Sequence, residues 1–151
     1  ILNRLLCDNT QRMQVSKSMT LALLDYHIGR MAISGQHEEV IVMRKDGRME
    51  LEDTLDLGLP LGLVGGVADF VQKTSVELQP GDGIVLYSDG ITEAENEAEE
   101  LYGLERLCQV VRNHWGASAE GVKDAIVTDV RGYIGQQKVH DDITLVVVKQ
   151  R

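Results

Sequence analysis

Hydrophobic positions in this chain occur in two rhythms, short runs in its first two thirds and in its last residues, and a helical period between them. Ile84 to Tyr87 is a continuous β-favouring apolar run entered through the turn-forming Pro80-Gly81-Asp82-Gly83, which predicts a central strand buried on both faces. Ile143 to Lys149 is a second run of this kind and closes the chain. Phe70, Gln72, Thr74, Val76 and Leu78 alternate with Val71, Lys73, Ser75 and Glu77. That alternation predicts a half-exposed strand, leading into the Pro80-Gly81 turn and pairing with the central strand. Earlier, Ser18 to Tyr26 reads as a strand that turns at His27-Ile28-Gly29-Arg30 and pairs back through Met31 to Ser34. Glu39 to Arg44 follows, then a hairpin at Asp46-Gly47 and a return over Arg48 to Glu52.

Helical spacing appears in three places. Ile1, Leu2, Leu5 and Leu6 mark a helix over the first nine residues. Leu104, Leu107, Cys108, Val111 and Trp115 form one face of a helix between Tyr102 and Trp115, ended by Gly116. Ser118 is placed to cap a further helix whose face carries Ala119, Val122, Ile126, Val130, Tyr133 and Ile134, with Gly135 at its end. Hairpins followed by paired helices and a last strand predict an α+β domain of antiparallel sheet flanked by helices. A Rossmann-like or barrel arrangement is excluded, and no linker or repeat divides residues 1–151, which read as a single domain.

Composition narrows the partners. Lys and Arg number 15 against 24 Asp and Glu, a formal charge of -9, which argues against nucleic acid or an anionic membrane surface. No apolar run approaches the length of a membrane span, and no signal-peptide pattern is present. Two cysteines, Cys7 and Cys108, sit in apolar helical patterns and read as small core residues, in keeping with a reducing cytoplasm. The chain begins at Ile1 without an initiator methionine, which is read as a cut from a longer protein.

Candidate chemistry collects at two strand ends. Asp89 follows the central strand and precedes Gly90, a glycine that lets the backbone turn sharply. Asp141 and Asp142 directly precede the closing strand, in the run His140-Asp141-Asp142-Ile143-Thr144-Leu145. Carboxylates far apart in sequence converge when their strands are neighbours, and hard oxygen ligands suit Mg²⁺ or Mn²⁺. Asp-Gly after a strand also serves as a plain turn, and the acidic run Glu93, Glu95, Glu97, Glu99, Glu100 as a solvated face or a flap beside a metal site. His37 reads as a hairpin residue. The glycine-rich Gly58 to Gly66 lacks the lysine and the strand-to-helix context of a phosphate loop, and its leucines suggest a loop folded over the core.

Gly81-Asp82-Gly83-Ile84-Val85-Leu86-Tyr87-Ser88-Asp89-Gly90-Ile91-Thr92-Glu93, then Leu101-Tyr102-Gly103-Leu104-Glu105-Arg106-Leu107, then Asp141-Asp142-Ile143-Thr144-Leu145, resembles the C-terminal portion of a SpoIIE-type phosphatase. That family is a branch of the metal-dependent serine/threonine phosphatases related to protein phosphatase 2C. The resemblance implies part of a four-layer α-β-β-α sandwich. It also implies hydrolysis of phosphoserine or phosphothreonine on a bacterial regulatory protein, an anti-sigma-factor antagonist being one such substrate, through a bridging water between two Mn²⁺ or Mg²⁺ ions. By motif, Asp89 and Asp141, with Asp142 as the neighbouring alternative, fall on metal ligands, and Gly90 on backbone at the metal site. No nucleophilic side chain is required. Two further ligand motifs of the family, a Gly-Asp-x-x-Asp type and an Asp-x-x-Gly-x-Gly segment, do not occur here. The expectation is therefore an incomplete site, inactive in isolation, with sheet edges that favour a homo-oligomer. The rival reading is a non-catalytic phosphatase-like module that binds a regulatory protein.

Overall fold

A computed structural model of the chain describes residues 1–14, 17–138 and 141–151. It contains two compact units, one of residues 1–39 and 53–77, the other of residues 40–52 and 78–151. All strand pairing is antiparallel, in one three-stranded and one four-stranded sheet, and with the helices this is the α+β class.

In the first unit, α1 (Leu2–Met13) is the predicted N-terminal helix, extended by one turn. Strands β1 (Leu23–His27), β2 (Arg30–Ser34) and, far along the chain, β5 (Lys73–Glu77) form the three-stranded sheet in the order β1-β2-β5. The stretch read as one strand from Ser18 to Tyr26 forms ladder only from Leu23, and all of β1 is exposed. Before it, Met19 makes an isolated bridge to Leu61. The strand read over Phe70 to Leu78 does not pair with the central strand. It pairs with β2, Val76 opposite Met31, because Val76 and Met31 share the buried side of this sheet. The glycine-rich loop is only partly covered, with Leu59 and Leu61 half-buried and Leu63 and Val64 exposed. Its backbone is held by Asn3, which donates to the Val64 and Gly65 carbonyls and accepts from the Gly62 amide. Cys7 is half-buried on α1 rather than a core residue.

The second unit holds β3 (Val40–Met43), β4 (Met49–Glu52), β6 (Gly83–Tyr87) and β7 (Leu145–Lys149) in the order β4-β3-β6-β7. The predicted central strand is thus central, with Val85 between Ile41 and Val147. A four-residue helix α2 (Asp89–Thr92) follows it, then α3 (Leu104–His114) and α4 (Ala119–Ile134). Both long helices present the faces read from their spacing. Leu107, Val111, Val122 and Ile126 are fully buried with Ile41 and Val85 in one cluster. Ser118 caps α4 through the Gly121 amide. The hairpin between β3 and β4 has a three-residue loop, Lys45-Asp46-Gly47, flanked by the bond from the Arg44 amide to the Arg48 carbonyl.

Asp82 anchors the start of β6. Its buried carboxylate accepts from the Lys45 amide at 2.8 Å, the Gln79 amide at 3.1 Å and Arg44 Nη1 at 3.3 Å, while Arg44 also grips Glu50. Burial alone would raise its pKa, but the two amides and the guanidinium outweigh burial and hold it below the ordinary carboxylate range. Replacing Asp82 by alanine leaves two amides without their acceptor and Arg44 with Glu50 as its remaining partner, and we expect a loss of about 2 kcal/mol in urea unfolding at pH 7. A depressed folded pKa stabilises above the unfolded value of about 4 and ceases to do so as pH falls through the folded one. The difference between wild type and variant should therefore shrink in acid.

Candidate metal centre

The Asp89 and Asp141-Asp142 segments meet because β6 and β7 are paired neighbours, Tyr87 standing opposite Leu145. One residue beyond that pair, Ser88 fastens the two ends together. Its amide donates to the Thr144 carbonyl, its Oγ donates to the Asp142 carbonyl, and the same Oγ accepts from the Thr144 amide, each at 3.0 Å. Gly90 lies against the same segment. A methyl group there would come within 2.5 Å of the Asp142 carbonyl oxygen and 3.1 Å of its carbon, so the close approach requires glycine. Both effects place the Asp89 backbone beside that of Asp141 and Asp142.

All three aspartates are exposed to solvent. Asp89 Oδ1 accepts from the Gly90 amide and Asp141 Oδ1 from the Asp142 amide, local bonds that leave carboxylate lone pairs available. Among the described residues, no group of three or more His, Cys, Asp or Glu side chains is arranged to hold a metal ion. His140, which precedes this pair in the sequence motif, lies outside the described residues. His37 belongs to the other unit, where its Nδ1 shares a hydrogen with Thr20 Oγ1 and its backbone is bonded to buried Thr54. That is the position of a satisfied hairpin residue.

A cavity of about 280 Å³ opens beside the aspartates, lined by Gly90, Glu93, Glu95, Leu101, Ile134 and Asp141 among others. Its acidic wall is a built loop. Asn96 Oδ1 accepts from the Ala98 and Glu100 amides, its Nδ2 donates to the Glu100 carboxylate, and Glu95 bridges to Leu101. The loop is tied to the helices by Tyr133, whose hydroxyl donates to the Glu100 and Leu101 carbonyls. Tyr102 continues this fastening with a 2.8 Å bond from its hydroxyl to Asp129, the carboxylate that also pairs with Arg106. Burial, reinforced by Asp129, pushes the Tyr102 phenol well above its ordinary pKa, while Arg106, helped by Tyr102 against the opposing effect of burial, holds Asp129 low.

Ser88 is the site residue that the pattern of the chain does not reveal. A serine before Asp-Gly reads as turn chemistry, and only the register of β6 on β7 shows that its hydroxyl spans both acidic segments. Serine to alanine at 88 should preserve the fold and lower divalent-ion affinity by about tenfold, the scale for a residue that orients ligands from behind. Alanine at Gly90, which must push the Asp142 backbone away, should weaken it more; calorimetry with Mn²⁺ gives the order.

The sequence model of the family described as Stage II sporulation protein E (SpoIIE) matches residues 1–151. Protein IcfG of Synechocystis sp. is 25% identical over 138 residues, which cover 90% of this chain and 21% of that protein. The SiaA-PP2C domain of Pseudomonas aeruginosa superposes with a TM-score of 0.75 at 21% identity, over 92% of this chain and 55% of that one. The catalytic domain of the serine threonine protein phosphatase PstP, solved in complex with two manganese ions, superposes with a TM-score of 0.65 at 16% identity, over 97% of this chain and 66% of that one. The chain thus spans about half of the SiaA domain and about a fifth of IcfG.

Proposed function

The chain belongs to the SpoIIE family, within the serine/threonine phosphatases of PP2C type, and from that premise we propose that it forms part of a protein that hydrolyses phosphoserine or phosphothreonine on a bacterial regulatory protein. A phosphorylated anti-sigma-factor antagonist is the substrate that the family resemblance implies. The observation that carries the reading is the Ser88 and Gly90 contact with Asp142, which sets Asp89 beside Asp141 and Asp142 at adjacent strand ends. Exposed carboxylates of this kind fit Mn²⁺ or Mg²⁺ in chemistry, and Asp89 with Asp141 or Asp142 would hold such an ion. When bound, the dications supply an acidified water and neutralise the phosphoryl oxygens. The chain's own part is to fix the carboxylates. Ser88 holds the two segments in register, Gly90 admits the Asp142 backbone, and the Asn96-centred loop with Tyr133 walls the cavity beside them.

The donors fit in kind and fall short in number, since the described residues supply no ligand triple. That shortfall also favours a second reading, a non-catalytic phosphatase-like module that binds a regulatory protein. Release of phosphate from a phosphoserine peptide by the full-length protein, dependent on Mn²⁺ and abolished by EDTA, supports the first reading; its absence with intact peptide binding supports the second. Among the described residues no helix is long and apolar enough to cross a membrane. A cytoplasmic, homo-oligomeric protein is part of the same proposal, the exposed edge strand β1 with Leu23 and Tyr26 and the exposed Leu5 of α1 being its support. Light scattering that finds a monomer at micromolar concentration would count against the oligomer.

A further inference from the structure

The strand that leads to Asp89 begins at a basic hollow. A depression of about 430 Å³ is lined by Lys45, Asp46, Gly81, Arg112, Trp115 and Lys149 among others, where the β3–β4 turn meets the C-terminal end of α3. A second of about 420 Å³ adjoins it at Lys45 and Asp46 and adds Arg44, Arg48 and Asp82. Together they gather the five cations Arg44, Lys45, Arg48, Arg112 and Lys149 against the two carboxylates of Asp46 and Asp82. Both carboxylates are taken: Asp46 by Arg48 at 2.8 Å and Asp82 by Arg44 at 3.3 Å. No ion pair in the described residues uses Lys45, Arg112 or Lys149. In a chain of formal charge -9, three cations from three separate elements around one hollow are a concentration of charge against the trend.

Lys45 and Arg112 are exposed and Lys149 is half-buried, and each has a contact beside the hollow. The Lys45 stem lies over Gly81, whose carbonyl accepts from Trp115 Nε1 at 3.1 Å, and its amide is held by Asp82. Lys149 Nζ sits 4.5 Å from the Trp115 ring centroid and donates to the Trp115 and Ala117 carbonyls at 2.5 and 2.7 Å. Those bonds neutralise the negative end of α3, which would otherwise repel an anion here. Arg112 makes one weak contact, from Nη2 to Met49 Sδ at 3.8 Å, and keeps its other donors.

We propose that this hollow is a binding site for a phosphate dianion, distinct from the aspartate centre and separated from it by the length of β6. A guanidinium fork with the Lys45 ammonium and the remaining Lys149 donor suits a tetrahedral dianion better than a single carboxylate. Gly81 and Asp89 lie at opposite ends of the strand, on the order of 20 Å apart at the usual rise per residue. The phosphate is either free or carried on a serine of a peptide, and the test separates the two.

The chain contains one tryptophan, so its indole N–H is a single nuclear magnetic resonance signal at the hollow itself. The full chain, in EDTA so that divalent ions play no part, is titrated with sodium phosphate against sodium chloride at constant ionic strength. Saturable shifts of the Trp115 indole and the Lys45 and Arg112 amides are expected, with a dissociation constant on the order of a millimolar. The substitutions Lys45→Glu and Arg112→Glu should each weaken binding by about tenfold or more, as the loss of a charge-assisted bond does. The same charge change at half-exposed Lys123 on α4 should not. A phosphoserine peptide that binds more tightly than phosphate, with its unphosphorylated form inert, identifies carried phosphate; equal binding identifies the free ion. No saturable shift at tens of millimolar phosphate, or equal weakening by Lys123→Glu, overturns the site.

Discussion

Asparagine at position 89 of the full-length protein is expected to reduce phosphoserine-peptide hydrolysis by more than the roughly hundredfold that follows loss of an outer orienting residue. The substitution keeps size and hydrogen bonding to the Gly90 amide, but removes the negative charge that makes Asp89 a ligand for a hard dication. The side chain is exposed and makes no buried contact, so stability should change by less than about 0.5 kcal/mol. A large loss of activity with unchanged unfolding is the expected pair of results. Activity retained within a few-fold would remove Asp89 from the metal centre.

The second large effect concerns the 151 residues alone, which are expected to show no Mn²⁺-dependent turnover of a phosphopeptide and to bind at most one ion weakly. Each ion takes about six oxygen ligands and two neighbouring ions repel, so a pair requires several shared carboxylates. Asp89, Asp141 and Asp142 supply three residues, and no triple among the described residues meets the spacing of a complete site. The glutamates of the Asn96-centred loop are the remaining source. That loop is pinned by Asn96 and Tyr133 as a wall of the cavity beside Asp141, and among the described residues its glutamates form no ligand group with the aspartates. Calorimetry that finds two tightly bound ions per chain, or robust turnover, would show that these residues suffice.

The parts of the fold legible in the chain are those written by local periodicity. Ile84 to Tyr87 as the central strand, the faces of α3 and α4 and the Ser118 cap follow from runs, spacing and one hydroxyl. Pairing across long separations is not written that way. Lys73–Glu77 alternates as any edge strand does, and nothing in its residues distinguishes β2 from β6 as partner; the shared burial of Val76 and Met31 decides it in the folded sheet. At the site, Asp89, Asp141 and Asp142 were visible as charges at strand ends. Ser88 was not, nor was the anchoring role of Asp82 at the far end of β6, because each acts through backbone groups supplied by segments 54 to 56 and 37 residues away.

The central claim is that these aspartates form part of one metal centre, and paramagnetic broadening by Mn²⁺ tests it in the chain as it stands. Sub-stoichiometric Mn²⁺ added to the ¹⁵N-labelled protein should erase the amide signals of Asp89, Gly90, Asp141 and Asp142 first, leaving Lys45 and Trp115 at the far end of β6 sharp. Asp89→Asn should shift that broadening to higher Mn²⁺ by about tenfold or more. Broadening centred on Glu93 to Glu100 while Asp89 and Asp142 stay sharp, or a pattern indifferent to Asp89→Asn, would contradict it.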